Sequence, residues 1–178
     1  MKFLIAGLGS IGGRHLNILR ELGQEDIILY RTHQSTLDDE ALAGLPVYTD
    51  LRDALALKPD AVIVANPTSL HMDVAIPAAE AGCHILLEKP ISDDLTRVDE
   101  LRKAAEKSRS RILVGFQFRY HPTLNKAREL INEGVLGRVL SAHSHWGEYL
   151  PNWHPWEDYR QSYAARADLG GGVIGTLT

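Results

Sequence analysis

The sequence predicts an α/β fold, in which a doubly wound parallel sheet is covered by helices on both faces. Three observations support this prediction. Short apolar runs alternate with segments of helical periodicity, as in parallel sheets whose strands are joined by crossover helices. The runs are apolar throughout, which is typical of strands that are buried on both faces. A glycine-rich turn also joins the first apolar run to the first helical segment.

The predicted strands are all short. They are Phe3–Ala6, Ile27–Tyr30, Val47–Tyr48, Ala61–Ala65, His84–Leu87 and Arg111–Phe116. Helices are predicted between them from capping signals and apolar spacing. They run from Ser10–Ile11 to Gly23, from Thr68-Ser69 to Ala81-Gly82, and from Ser92-Asp93-Asp94 to the basic stretch before Ser110. The apolar positions that define the first and third helices are Ile11, Leu19 and Leu22, and Leu95, Val98 and Leu101.

The character of the chain changes after Tyr120-His121-Pro122. We therefore predict one domain over residues 1–121 and the N-terminal part of a second domain over residues 122–178. The second part is predicted to open with a helix, Thr123 to Glu133, and a long strand, Arg138–Tyr149. It is interpreted as an incomplete α/β substrate domain.

Composition narrows the class of protein. A net charge of −4 in 178 residues argues against nucleic acid as a partner. No stretch approaches the roughly 20 apolar residues that a membrane span requires. The single cysteine, Cys83, excludes an intramolecular disulfide framework and suits a reducing compartment. We expect a soluble, cytoplasmic protein.

The first turn carries a dinucleotide-binding fingerprint, Gly7-Leu8-Gly9-Ser10-Ile11-Gly12. It follows an apolar strand directly and opens a helix, the context in which this spacing is informative. The glycines permit a tight turn, close approach to a pyrophosphate and close helix packing, respectively. The predicted fold is therefore of the Rossmann type, with the phosphates bound at Gly7, Gly9, Ser10, Ile11 and Gly12. An ordinary structural turn and a methyltransferase-like cofactor site are the alternatives.

The end of the second predicted strand favours NADP over NAD. Domains that bind NAD usually place an acid there to bond the ribose 2′-hydroxyl. This strand instead ends Tyr30-Arg31-Thr32-His33. Arg31 is expected to bind a 2′-phosphate, with Thr32 or His33 assisting. The alternative is a solvated surface arginine.

Two further segments carry a family resemblance. They are Val62-Ile63-Val64-Ala65-Asn66-Pro67-Thr68-Ser69-Leu70-His71 and Ala81-Gly82-Cys83-His84-Ile85-Leu86-Leu87-Glu88-Lys89-Pro90-Ile91-Ser92. With the glycine-rich turn, they resemble the glucose–fructose oxidoreductase, inositol dehydrogenase and MocA (Gfo/Idh/MocA) family. The resemblance runs from Met1 to about Pro122 and more loosely beyond.

The resemblance implies an oxidoreductase that passes hydride between nicotinamide and a carbon–oxygen bond of a sugar or cyclitol. It makes Lys89 the candidate catalytic residue for proton transfer at the hydroxyl and makes Lys89–Pro90 a frequent cis bond. It also assigns residues to the cofactor site. These are Asn66, Pro67, His71, Glu88, Lys89 and Gln117, with Arg119 near Gln117.

The chemistry of these residues is compatible with that role. Removing hydride from an alcohol carbon also requires removal of the hydroxyl proton, so a base is needed nearby. An amine can serve when burial or a neighbouring cation lowers its pKa. For Lys89 the alternative is an exposed lysine with no role. For His71 it is a capping or packing role at a helix start.

The C-terminal part departs from the family pattern. Gly170-Gly171-Gly172 normally opens a helix that carries an Asp and then a His, but Thr176 stands near the Asp position and the sequence ends at Thr178. His143 and His145 would share one strand face, yet no further ligand lies near them in sequence, so no metal site is predicted. The aromatic residues between them and the glycines could stack on a sugar or simply pack. They are Trp146, Tyr149, Trp153, Trp156, Tyr159 and Tyr163.

The sequence thus predicts an NADP- or NAD-dependent oxidoreductase acting on a small sugar-like substrate. The alternative is a dinucleotide-binding module without turnover, or an inactive fragment. The apolar edge of an incomplete sheet would be left without a partner, which predicts association into homo-oligomers.

Overall fold

The computed structural model describes residues 1–32, 42, 44–145, 147–153, 155 and 158–173. The strands are β1 (Phe3–Ala6), β2 (Ile27–Tyr30), β3 (Val47–Tyr48), β4 (Ala61–Val64), β5 (His84–Leu87) and β6 (Ile112–Val114). The α-helices are α1 (Ser10–Glu21), α2 (Leu51–Ala56), α3 (His71–Glu80), α4 (Val98–Ser108) and α5 (Pro122–Asn132). None of the described helices is long and apolar enough to cross a membrane.

The strands form a parallel sheet of order β3-β2-β1-β4-β5-β6, which confirms the predicted Rossmann-type, doubly wound fold. The strand order reverses between β1 and β4, and ligands of such sheets bind beside that reversal, at the carboxyl ends of the strands. The register aligns those ends, because Ala6 pairs with both Tyr30 and Val64, and Leu87 pairs with Val64 and Val114. The loops that follow the strands therefore meet at one edge.

Apolar cores lie on both faces of the sheet, as the continuous apolar strands predict. Leu4 and Ala6 of β1 belong to the larger core, which is covered mainly by α3 and α4, whereas Ile5 belongs to the core beside α1. Leu16 and Leu19 form the buried face of α1. The sequence predicted that Ile11 and Leu22 share this face of α1 with Leu19, which is wrong for the first two, because both are exposed.

The third predicted helix begins later than expected. Residues 93–97 form bends and turns, and α4 starts at Val98. The Asp94 carboxylate accepts hydrogen bonds from both the backbone N–H and the hydroxyl of Thr96, a local arrangement that competes with helical bonding. Leu95, which the sequence pattern placed at helical spacing with Val98 and Leu101, lies outside the helix and is 77% exposed.

The region after residue 121 departs most from the prediction. Helix α5 lies where the sequence predicts it, but the predicted strand Arg138–Tyr149 is wrong: residues 138–145 and 147–149 contain no strand. A strand is stable only with a partner in a ladder, and β6 pairs with β5 alone among the described strands. Beyond Tyr149 the chain makes 3₁₀ turns at Leu150–Asn152, Tyr163–Ala165 and Ala167–Leu169. This region is a helical extension, and the boundary near residue 121 stays a prediction.

Candidate functional site

The glycine-rich turn between β1 and α1 is packed tightly against the loop that follows β4. Gly7 has a φ of +92°, and a Cβ there would lie 2.5 Å from the backbone nitrogen of Asn66 and 2.7 Å from the carbonyl oxygen of Ala65. A Cβ at Gly12 would collide with the carbonyl oxygen of Gly7. Glycine at position 7 therefore permits the tight turn, and glycine at position 12 permits the close packing of α1, as the spacing predicted.

The middle of the same turn is open. A Cβ at Gly9 would have no neighbour within 4 Å, and Ser10 and Ile11 are exposed. Gly9 caps α1 without a side-chain hydrogen bond, and no acid lies in the first turn of the helix. The first amide groups of α1 therefore face an open surface, which suits a pyrophosphate group.

Arg31 and Thr32 follow β2 at the same edge. Arg31 is only 8% exposed, and its backbone N–H donates to the carbonyl of Tyr48. The solvated surface arginine that was the alternative is therefore not what the structure contains. Thr32 is exposed, and His33 lies outside the described residues. A contact with a 2′-phosphate stays a prediction.

His71, the first residue of α3, is buried between two loops. Its Nδ1 lies 3.0 Å from the carbonyl oxygen of Pro90 and its Nε2 lies 3.1 Å from that of Asn66. Burial lowers the pKa of His71 below its ordinary value, although hydrogen bonds to backbone groups of Asn66, Ile91 and Pro90 oppose the shift. With only 1% of the residue exposed, this geometry fits the packing alternative better than direct contact with a cofactor.

Asn66 precedes that histidine at the end of β4. Its Nδ2 donates to the carbonyl of Leu70 at 2.9 Å, which closes the turn that leads into α3. Its Oδ1 is buried and has no protein hydrogen-bond partner among the described residues. Pro67 is half-buried beside it. Asn66 thus contacts the glycine-rich turn on one side and His71 on the other.

The segment Glu88-Lys89-Pro90 follows β5 and contains a cis peptide bond between Lys89 and Pro90, as the resemblance implied. The carboxylate of Glu88 accepts a hydrogen bond from Nε2 of His15, with 2.8 Å between the two atoms. Lys89 is half-buried. Gln117 and Arg119 lie in the exposed 3₁₀ turn Gln117–Tyr120 that follows β6.

His15 was missed by the sequence analysis. It lies three residues after Gly12, hence about one helical turn along α1 on a similar face. That spacing alone could have indicated a side chain directed toward the neighbouring strand ends.

The C-terminal segment returns to this edge. The hydroxyl of Tyr163 lies 3.1 Å from that of Thr68, and a Cβ at Gly170, whose φ is +79°, would lie 2.9 Å from the Cβ of Thr68. The predicted glycine run is thus placed on the loop after β4. Trp146, Trp156 and Thr176 lie outside the described residues. Within the described ranges, no three His, Cys, Asp or Glu side chains are grouped to hold a metal ion.

Comparison with known proteins gives a consistent result. The profile of Gfo/Idh/MocA, an oxidoreductase family with an NAD-binding Rossmann fold, matches residues 1–116. An inositol 2-dehydrogenase of Corynebacterium glutamicum (strain R) is 33% identical over 144 residues, which cover 76% of this chain and 42% of that protein. A levoglucosan dehydrogenase of Pseudarthrobacter phenanthrenivorans is 36% identical over 121 residues, which cover 65% of this chain and 29% of that protein.

A solved structure resembles this chain over the same region. The WlbA dehydrogenase of Bordetella pertussis, in complex with NADH and UDP-GlcNAcA, matches with a TM-score of 0.68 at 28% identity. The match covers 78% of this chain and 42% of that one. The chain therefore spans less than half the length of these relatives.

Proposed function

The chain belongs to the Gfo/Idh/MocA family of oxidoreductases with an NAD-binding Rossmann fold, and from this premise we propose that it carries the cofactor half of an NAD(P)-dependent sugar or cyclitol oxidoreductase. One observation supports the proposal above others. The open turn at Gly9, the Asn66 loop and the Glu88-Lys89-Pro90 segment meet at one edge of the sheet, beside the reversal of strand order. Dinucleotides bind at this position in such folds.

The residues at this edge suit the parts of a dinucleotide. The uncapped start of α1 at Gly9, Ser10 and Ile11 would hold the pyrophosphate. Asn66 and Pro67 would lie along the nicotinamide half, with Glu88 at its ribose and Gln117 approaching from the turn after β6. A bound nicotinamide supplies the hydride acceptor or donor.

Lys89 would move the proton that accompanies hydride transfer. A hydroxyl oxygen placed against its amine could lose its proton to Nζ during oxidation, or receive it during reduction. Pro90 and His71 hold the segment on its other side, because His71 contacts the carbonyl of Pro90. This contact therefore holds the backbone of the segment that carries Lys89.

The relatives suggest the substrate class. Their names refer to inositol, levoglucosan and a sugar nucleotide, which are polyhydroxylated rings. We propose a substrate of this kind for the full protein. Residues after 121 would form the start of the substrate domain. We also propose that the protein self-associates through edge strand β6, because Leu113 of this strand is exposed.

The activity is tested with nicotinamide absorbance across a panel of myo-inositol, levoglucosan and UDP-sugars. We expect Lys89→Met to lower turnover at least about 100-fold, since acid–base assistance contributes that much. Lys103→Met, which removes an exposed lysine of α4, is the matched control. Near-normal turnover by Lys89→Met would exclude its proposed role. Binding without turnover of any substrate would favour the non-catalytic module.

The cofactor preference is tested separately. We propose that Arg31 favours NADP, because this arginine directly follows β2 and no acid stands beside it. Arg31→Gln should weaken NADPH binding about 10-fold and leave NADH binding unchanged, as expected for the loss of a phosphate contact. Arg128→Gln, on exposed α5, should change neither. Isothermal titration that finds NADH bound more tightly than NADPH by the unmodified chain would overturn this preference.

A further inference from the structure

A contact between α1 and the end of β5 joins the two ends of the proposed dinucleotide site. Nε2 of His15 lies 2.8 Å from Oε1 of Glu88, across 73 residues of sequence. The two side chains are 17% and 21% exposed. The contact is therefore largely shielded from water, and hydrogen bonds to charged groups are stronger there than on an open surface.

The same carboxylate is enclosed from another direction. A Cβ at Gly115, directly after β6, would lie 3.3 Å from Oε2 and 3.4 Å from Oε1 of Glu88. The backbone of Glu88 is fixed as well, because its N–H donates to the carbonyl of Val64 at 3.0 Å. His15, Gly115 and β4 thus restrict the carboxylate to a small set of positions.

The hydrogen bond has a defined direction. An ionised carboxylate only accepts hydrogen bonds, so Nε2 of His15 carries the proton and donates it. A neutral imidazole protonated at Nε2 is sufficient for this. The bond therefore requires no charge on His15.

From these contacts we propose that His15 is a positioning residue, which orients the Glu88 carboxylate toward the nicotinamide-side ribose of a bound dinucleotide. This inference rests on the proposed function and deepens it. His15 lies on the helix whose first turn would hold the pyrophosphate, so one side chain couples the phosphate end of the site to its nicotinamide end. Removing its N–H would leave the adenosine half of the ligand unaffected.

The test compares a whole dinucleotide with its adenosine diphosphate half. Calorimetry would measure the binding of NADH and ADP, or of NADPH and 2′-phospho-ADP if the unmodified chain prefers NADPH. We expect His15→Leu to weaken the whole dinucleotide about 10-fold, the effect of losing one hydrogen bond to a charged group. Binding of the diphosphate half should remain unchanged.

Matched variants separate positioning from folding. His15→Gln retains a terminal N–H near the position of Nε2 and should recover most of the loss. Gly115→Ala should reproduce the loss by displacing the carboxylate from its other side. In a double variant of His15→Leu with Glu88→Gln, the two losses should not add, because both remove one interaction.

The outcomes are distinguishable. If the unmodified chain binds the dinucleotide and His15→Leu binds it equally well, the positioning role is overturned and the proposed function stands. If His15→Leu weakens the diphosphate half as much as the whole ligand, His15 only supports α1, and the proposal is likewise overturned. If the unmodified chain binds neither dinucleotide, the proposed function fails together with the inference.

Discussion

Helices α4 and α5 have the same length, 11 residues each, and both have apolar residues at helical spacing, yet only α4 has buried side chains. Leu101 of α4 is 2% exposed and packs with α3 in the larger core. Leu124 and Ile131 of α5 are each 49% exposed. An amphipathic pattern predicts a helix, but the stabilisation it provides depends on an opposing apolar surface.

The same contrast separates the sheet edge from the extension that follows it. Gly7 of the first turn is enclosed by backbone atoms of Ala65 and Asn66, and Gly12 lies against the carbonyl of Gly7. In the extension, a Cβ placed on Gly147 would have no neighbour within 4 Å. The first turn is specified by contacts between distant segments, whereas the backbone hydrogen bonds of residues 133–137 in the extension join residues that are close together in the sequence.

The largest expected effect is at Gly12. Gly12→Ala places a Cβ against the carbonyl of Gly7, and we expect a loss of about 3 kcal/mol or more in the free energy of unfolding. Urea unfolding would measure it. Gly9→Ala has room for its methyl group and should keep its stability while weakening dinucleotide binding. Gly147→Ala should change neither property. Normal stability of Gly12→Ala would contradict the tight packing of this turn.

A paired truncation tests the two helices directly. Leu101→Ala should cost about 2–4 kcal/mol, because it opens a cavity in the larger core. Leu124→Ala should cost less than about 0.5 kcal/mol, as is usual for an exposed site. Urea midpoints of the two variants give the comparison. Equal losses would mean that α5 buries a face in solution.

The smallest expected effect is a pH dependence of stability that arises from His71. Burial lowers the pKa of His71 in the folded state. Above the ordinary value of about 6.5, the histidine is therefore neutral in both the folded and the unfolded chain, and the protein has its full stability there. As the pH falls below about 6.5, the unfolded chain takes up the proton more readily, so stability decreases by at most about 1.4 kcal/mol per pH unit.

Melting temperatures between pH 7.5 and 5 would measure this loss. His71→Gln, which does not titrate, should have a flatter profile, whereas exposed His143 replaced by Gln should retain the original slope. An unchanged slope in His71→Gln would rule out this origin of the pH dependence.

Features that depend on residues close together in the sequence were predictable. Gly7, Gly9 and Gly12 follow an apolar strand and open a helix, so their spacing indicated the turn before any contact was known. The strands β1, β2, β3 and β5 have the predicted bounds. The cis bond at Lys89–Pro90 agrees with the family resemblance. In each case the pattern lies within one short segment.

The remaining features depended on partners far apart in sequence. His15 contacts Glu88, and His71 lies between the loops after β4 and β5; no local pattern identified the partners of either histidine. The segment 138–149 has the composition of a strand but no described partner to pair with. The amino-acid sequence by itself determined the alternation of strands and helices and the position of the glycine-rich turn, because backbone geometry and side-chain periodicity are local. Only the tertiary structure decided which histidines, glycines and apolar faces are enclosed, because enclosure requires a second surface.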